Sequence, residues 1–129
     1  ARYLATSFDF FRHARTHCVD VFELCNTSDI KRIALVGASE LAEIAILCVR
    51  EFDIEIVGFI DQSFDQPTFS DLPVFNNLEE IGSIDAYVIT DLSAPQETFE
   101  WLQHEVVGIR ILAPQLLNIS RSGIKELMP

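Results

Sequence analysis

The sequence predicts an α/β domain on a parallel five-stranded sheet, with one extra helix at its N-terminal side. Three observations carry this. Short apolar runs alternate with amphipathic segments, the pattern of strand–helix–strand units. Several of those runs are continuously apolar, as parallel strands covered on both faces require. The chain has 129 residues and is 49% hydrophobic, enough for one core.

Residues 7–26 form the added helix. Thr6 or Ser7 is its expected cap, with Asp9 in the first turn where the helix dipole favours an acid. Phe10, Phe11, Ala14, Cys18, Val21, Phe22 and Cys25 fall in one arc of about 120° at about 100° per residue. A face that wide suits docking on the domain or on a second subunit. Arg32–Val36 is the first strand and leads into Gly37. Ser39–Phe52 is a helix capped by Ser39, apolar nearly all round and so covered on more than one side. Ile54–Ile60 is the second strand, ending at Asp61.

Gln62–Leu72 is polar, contains Pro67 and reads as a loop. Pro73–Phe75 is a short third strand, and Asn77–Ile81 a short helix capped by Asn76 or Asn77. Asp85–Thr90 is the fourth strand. Pro95–His104 is a helix with Pro95 near its first position, where the missing N–H costs nothing. Gly108–Leu112 is the fifth strand. The chain thus divides into an N-terminal helix (1–30), the α/β domain (31–112) and a tail (113–129).

The sequence carries a net charge of −11. No Lys or Arg lies between Arg50 and Arg110, a stretch holding thirteen acids from Glu51 to Glu105. Nucleic-acid surfaces need clustered cations to displace counterions, so direct contact with DNA or RNA is not expected. No run of about 18 apolar residues exists to span a membrane. Cys18, Cys25 and Cys48 are odd in number, lie in apolar runs and lack metal-ligand spacing. They fit a reduced, cytoplasmic protein. Because the sequence starts at Ala1 rather than Met, a piece of a longer chain is expected.

In open α/β sheets, ligands bind beyond the carboxyl ends of the strands, where the strand order reverses. The loop after the first strand reads Gly37-Ala38-Ser39-Glu40-Leu41-Ala42. It keeps the first glycine of the dinucleotide fingerprint G-x-G-x-x-G/A and an allowed Ala42, but Ser39 replaces the second glycine. Glu40 puts an acid in the first helical turn, where it competes with a phosphate for the same field. Asp61 stands 24 residues beyond Gly37, near the place of the acid that binds an adenosine ribose. It can equally cap a turn. Thr90, Asp91 and Ser93 end the fourth strand, either to meet a sugar hydroxyl or to cap the next helix.

The binding set is therefore Gly37, Ala38, Ser39, Glu40, Asp61, Thr90, Asp91 and Ser93. If the Gly37 loop is the site, Gly37→Val abolishes binding in a protein that still folds. No catalytic residue is assigned: no nucleophile elbow, Ser–His pair, Cys–His pair or Tyr-x-x-x-Lys pair occurs. His13 and His17 share a helical face with Asp9 and Asp20. That face is the polar side of an amphipathic helix without further ligands, so no metal is assigned. Trp101, with Phe99 and Leu102, reads as core or interface.

Four segments together carry a resemblance: Arg32–Glu43, Ile56–Asp61, Leu72–Phe75 and Asp85–Thr90. They resemble a truncated, three-layer Rossmann-like domain found at the N-terminus of bacterial sugar acyltransferases, where it holds a nucleotide sugar. Similar domains look like CoA- or NAD-binding modules, and some follow winged-helix DNA-binding domains in bacterial regulators. The likeness spans about residues 31–112. In the acyltransferases the first loop is richer in glycine and carries a histidine near the position of Leu41. Their hexapeptide repeats, which carry acyl transfer, are not in this sequence.

The resemblance implies a bacterial, non-catalytic, nucleotide-type sensing or regulatory module, with NAD, CoA or a nucleotide sugar as candidate ligands. It also implies an attached DNA-binding or enzymatic domain. Two alternatives are part of an enzyme that modifies nucleotide sugars, and a degenerate domain kept for oligomerisation. A homodimer is expected, built on the first helix or on Ser39–Phe52.

Overall fold

The computed structural model describes residues 2–121, with side chains from Phe8 onward. Helix α1 (Arg2–Thr27) starts five residues earlier than the sequence predicts. Arg2-Tyr3-Leu4-Ala5 contains no breaker, so helical propensity carries the backbone through Thr6 and Ser7. Neither residue stands at a cap, and Asp9 is not in the first turn. Ala14, Cys18, Val21, Phe22 and Cys25 are buried as the wheel predicts, whereas Phe11 is half exposed.

The sheet contains β1 (Arg32–Val36), β2 (Glu55–Ile60), β3 (Thr68–Phe69), β4 (Leu72–Phe75), β5 (Ala86–Ile89) and β6 (Arg110–Leu112), in the order β3-β4-β2-β1-β5-β6. Five strands are parallel, but the sheet has six. The unforeseen β3 lies inside the stretch expected to be loop and pairs antiparallel with β4. Its two-residue turn, Ser70-Asp71, has φ of 50° and 66°. Positive φ at both central positions suits the twist of a tight hairpin. The usual Asn-Gly or Asp-Gly signal is absent, so the sequence did not announce this turn.

Helix α2 (Glu40–Val49) follows β1 and packs against α1. It ends before the expected Phe52, because the chain tightens into a turn in which the Phe52 N–H donates to Val49 O. The Phe52 ring then packs on Phe22, with centroids 5.9 Å apart. Helix α3 (Pro95–Glu105) has Pro95 in its first turn and packs on β5 and β6. Short 3₁₀ turns occupy Leu78–Ile81, capped by Asn77 as expected, and Gln115–Leu117, which packs against α1. The tail is thus partly ordered on the domain, and its residues 122–129 lie outside the described residues.

The core is centred on β1 and β5, where Ile33, Leu35, Val88 and Ile89 are essentially solvent-free. β2 pairs with β1 through an irregularity: Ile33 faces Ile56 but Ala34 faces Gly58. The displaced Val57 makes a bulge. A Cβ on Gly58 would stand 2.8 Å from Pro73 O, so the bulge sits where β4 approaches most closely. No helix among the described residues is long and apolar enough to cross a membrane.

Candidate functional site

From β1 the chain steps one way to β2 and β4, and the other way to β5 and β6. The order reverses between β1 and β5, and a cavity of about 460 Å³ opens at the carboxyl ends there. The loop after β1 supplies Gly37, Ala38 and Ser39; the loop after β2 supplies Asp61, Gln62 and Ser63; the loop after β5 supplies Asp91, Leu92 and Ser93. Helix α3 adds Glu97, Thr98 and Trp101.

Six of the eight expected site residues line this cavity, and two do not. Thr90 is fully buried, and its hydroxyl donates to Gly37 O at 2.6 Å. It bolts the β5 end to the β1 loop. Glu40 is exposed on the first turn of α2, outside the lining.

Gly37 is fixed by packing rather than by a ligand. Its φ is +116°, and a Cβ would lie 2.6 Å from both Asp91 Cα and Asp91 N. The expectation that Gly37→Val separates binding from folding is therefore corrected: any side chain there collides with the β5 loop backbone. Ser39 is the α2 N-cap, accepting from the Ala42 N–H at 3.2 Å, while its own hydroxyl donates to Thr90 O at 2.5 Å. The first bond starts α2, and the second ties the β1 loop to the end of β5.

Asp61 spans the mouth between two loops. Its Oδ2 accepts from the Ala38 N–H at 2.9 Å, and its Oδ1 accepts from the N–H and hydroxyl of Ser63 at 3.0 and 2.7 Å. The protein's own carboxylate thus occupies one of the backbone donors that a pyrophosphate would use. The N–H groups of Ser39, Glu40 and Leu41 remain without a partner among the described residues.

Asp91 Oδ1 accepts from the N–H and hydroxyl of Ser93, both at 2.9 Å, and its Oδ2 accepts from the Thr98 hydroxyl at 2.6 Å. Desolvation pushes this carboxyl up, but bonds from Thr98, Ser93 and the Ala94 N–H outweigh it and hold it below the ordinary range. Asp91 thereby stabilises the start of α3, whose N-cap, Ala94, makes no side-chain cap bond.

The sequence reading missed Glu97, Thr98 and Trp101. The signal was present in their spacing: with Ala94 they recur at i, i+3, i+4 and i+7, one face of a helix. That face looks into the cavity, so Trp101 is a wall as well as a partly buried side chain. The wall is acidic. Asp61, Asp91 and Glu97 line it, and no Lys, Arg or His does so among the described residues. The arrangement offers carboxylates and hydroxyls that accept from ligand O–H or N–H groups, plus an indole for stacking. Unescorted phosphates are repelled.

No protein-family model and no curated protein matches this sequence.

Proposed function

We propose that this chain is the Rossmann-like, non-catalytic ligand-sensing module of a bacterial cytoplasmic protein, and that its ligand is of nucleotide type. One observation carries the reading: the cavity lies where the strand order reverses, built from the ends of β1, β2 and β5. Its volume falls within the range of about 300–1,000 Å³ common for small-molecule sites. Regulatory rather than chemical use is supported by the lining, where Ser39, Asp61, Ser63, Asp91, Ser93 and Thr98 are held in loop-stabilising bonds.

The lining also sets how such a ligand lies. Ribose or sugar hydroxyls face Asp61, Asp91 and Glu97, and a base or other flat group stacks on Trp101. Phosphates sit outward, near the free Ser39, Glu40 and Leu41 N–H groups. Among NAD, CoA and nucleotide sugars, those with the most hydroxyls per phosphate fit best.

A second reading, that the domain is degenerate and kept for assembly, is favoured by the bond between Asp61 and Ala38. It closes the old phosphate seat from within. A thermal-shift panel with NAD, NADH, CoA, acetyl-CoA, UDP-sugars and AMP separates the two. A ligand at 100 times its Kd adds about 2.7 kcal/mol, which is readily seen. A shift with one class supports sensing. No shift with the wild type or with Asp61→Ala, which frees the Ala38 N–H, leaves assembly as the function.

A further inference from the structure

Two exposed stripes on this molecule match each other in apolar content and in charge. On α1, Phe8 is 73% exposed and Phe11 53% exposed, although Phe11 continues the buried face of the same helix. That face is fully buried only from Ala14 onward, with Phe10 partly buried against the core. Arg12 and Arg15 lie beside the two phenylalanines, all four within an arc of about 100° at about 100° per residue. Both arginines are exposed, and Arg15 makes no ion pair among the described residues. On α2, Glu40, Glu43 and Leu47 form an exposed stripe about 60° wide on the same reckoning. Leu47 is 55% exposed. Arg50 follows at its C-terminal end, also exposed.

We propose that a second copy of this chain docks its α1 overhang, antiparallel, on the outer stripe of α2. The direction follows from the charges. Each phenylalanine of the overhang precedes an arginine by four residues, and Leu47 follows Glu43 by four residues. An antiparallel crossing lays Phe11 on Leu47 and Arg15 on Glu43, with Arg12 and Glu40 extending the pairing. A parallel crossing brings the arginines towards Arg50 instead. The contact is reciprocal, so a two-fold dimer makes it twice and leaves no free end for further growth. Opposite charges at its rim orient the encounter, and the apolar centre holds it.

Sedimentation velocity on the 129-residue chain, from low to high micromolar concentration, tests this. The wild type should form a dimer that weakens as salt rises. Leu47→Glu should weaken it at least tenfold with an unchanged circular dichroism spectrum, because Leu47 is outside the core. Arg12→Glu with Arg15→Glu should weaken it similarly. Adding Glu40→Lys and Glu43→Lys to that variant should restore it. A wild type that stays monomeric overturns the proposal. So does a dimer indifferent to Leu47→Glu, which would place the contact between two α1 helices alone, and so does failure of the charge exchange to restore association.

Discussion

Asp61-Gln62-Ser63 and Asp91-Leu92-Ser93 are the same local device used in two places. Each follows a parallel strand, and in each the aspartate Oδ1 takes the N–H and hydroxyl of the serine two residues on. This is the turn such residues form by themselves. The second oxygen makes the difference. In Asp61 it crosses to the Ala38 N–H on the β1 loop, 23 residues away; in Asp91 it stays near, on Thr98 of the helix that follows. One turn bridges the cavity and the other braces its own helix. Identical local chemistry thus acquires different roles from what the fold places opposite it.

Several substitutions break or sharpen that contrast. The largest effect is expected at Gly37, where the β1 loop meets the Asp91 turn. Gly37→Ala should cost about 3 kcal/mol or more in urea unfolding, the scale of a substitution that strains the backbone and overpacks it together. A cost under about 1 kcal/mol would mean the two loops separate easily. Next comes Thr90→Val, which leaves the Gly37 carbonyl without its buried donor and should cost about 2 kcal/mol.

Asp61→Asn and Asp91→Asn should each cost about 1 kcal/mol, but with different consequences. The Asp61 change should alter binding of phosphate-bearing ligands more than the Asp91 change, by removing the negative charge held on the Ala38 N–H. The Asp91 change should flatten the acid limb of stability. The Asp91 carboxyl is held below its unfolded value of about 3.9, so its contribution is present above that pH and is lost as pH falls through the folded value. Chemical denaturation between about pH 2 and 6, roughly two units each side of that value, reads this directly. The smallest effects belong to Ser63→Ala and Ser93→Ala, about 0.5 kcal/mol each. A much larger loss at Ser63 than at Ser93 would show that the bridging turn depends more on its serine than the bracing one does.

The thiols offer a check on the core beneath these loops. Burial pushes Cys18 up to about 12 and Cys25 up to about 11. Their protonated forms are favoured by folding, so stability is full below their unfolded value of about 8.5 and falls as pH rises beyond it. Native protein at pH 8 should leave both unreactive towards a thiol reagent that labels them at once in urea.

Much of the fold was readable because its signals are local. Continuous apolar runs marked β1, β2 and β5, Pro95 marked the start of α3, and Asn77 marked its 3₁₀ turn. β3 was not readable, since two residues carry no periodicity and Ser-Asp is a rare choice for a hairpin turn. The start of α1 was misplaced because Thr6 and Ser7 look like caps, while capping depends on where the chain actually stops being helical.

For the site, the sequence by itself determined which loops take part, because a glycine or a short polar residue must follow each buried strand. It also determined the Asp-x-Ser turns, whose bonds span two residues. Only the tertiary structure decided what those residues touch. It set the Asp91 backbone against Gly37, spent the Thr90 hydroxyl on a carbonyl and turned Trp101 and Glu97 into a wall. These contacts join strands far apart in sequence, and no local propensity encodes them. They arise when β5 slides in beside β1 and brings two loop ends within hydrogen-bond reach.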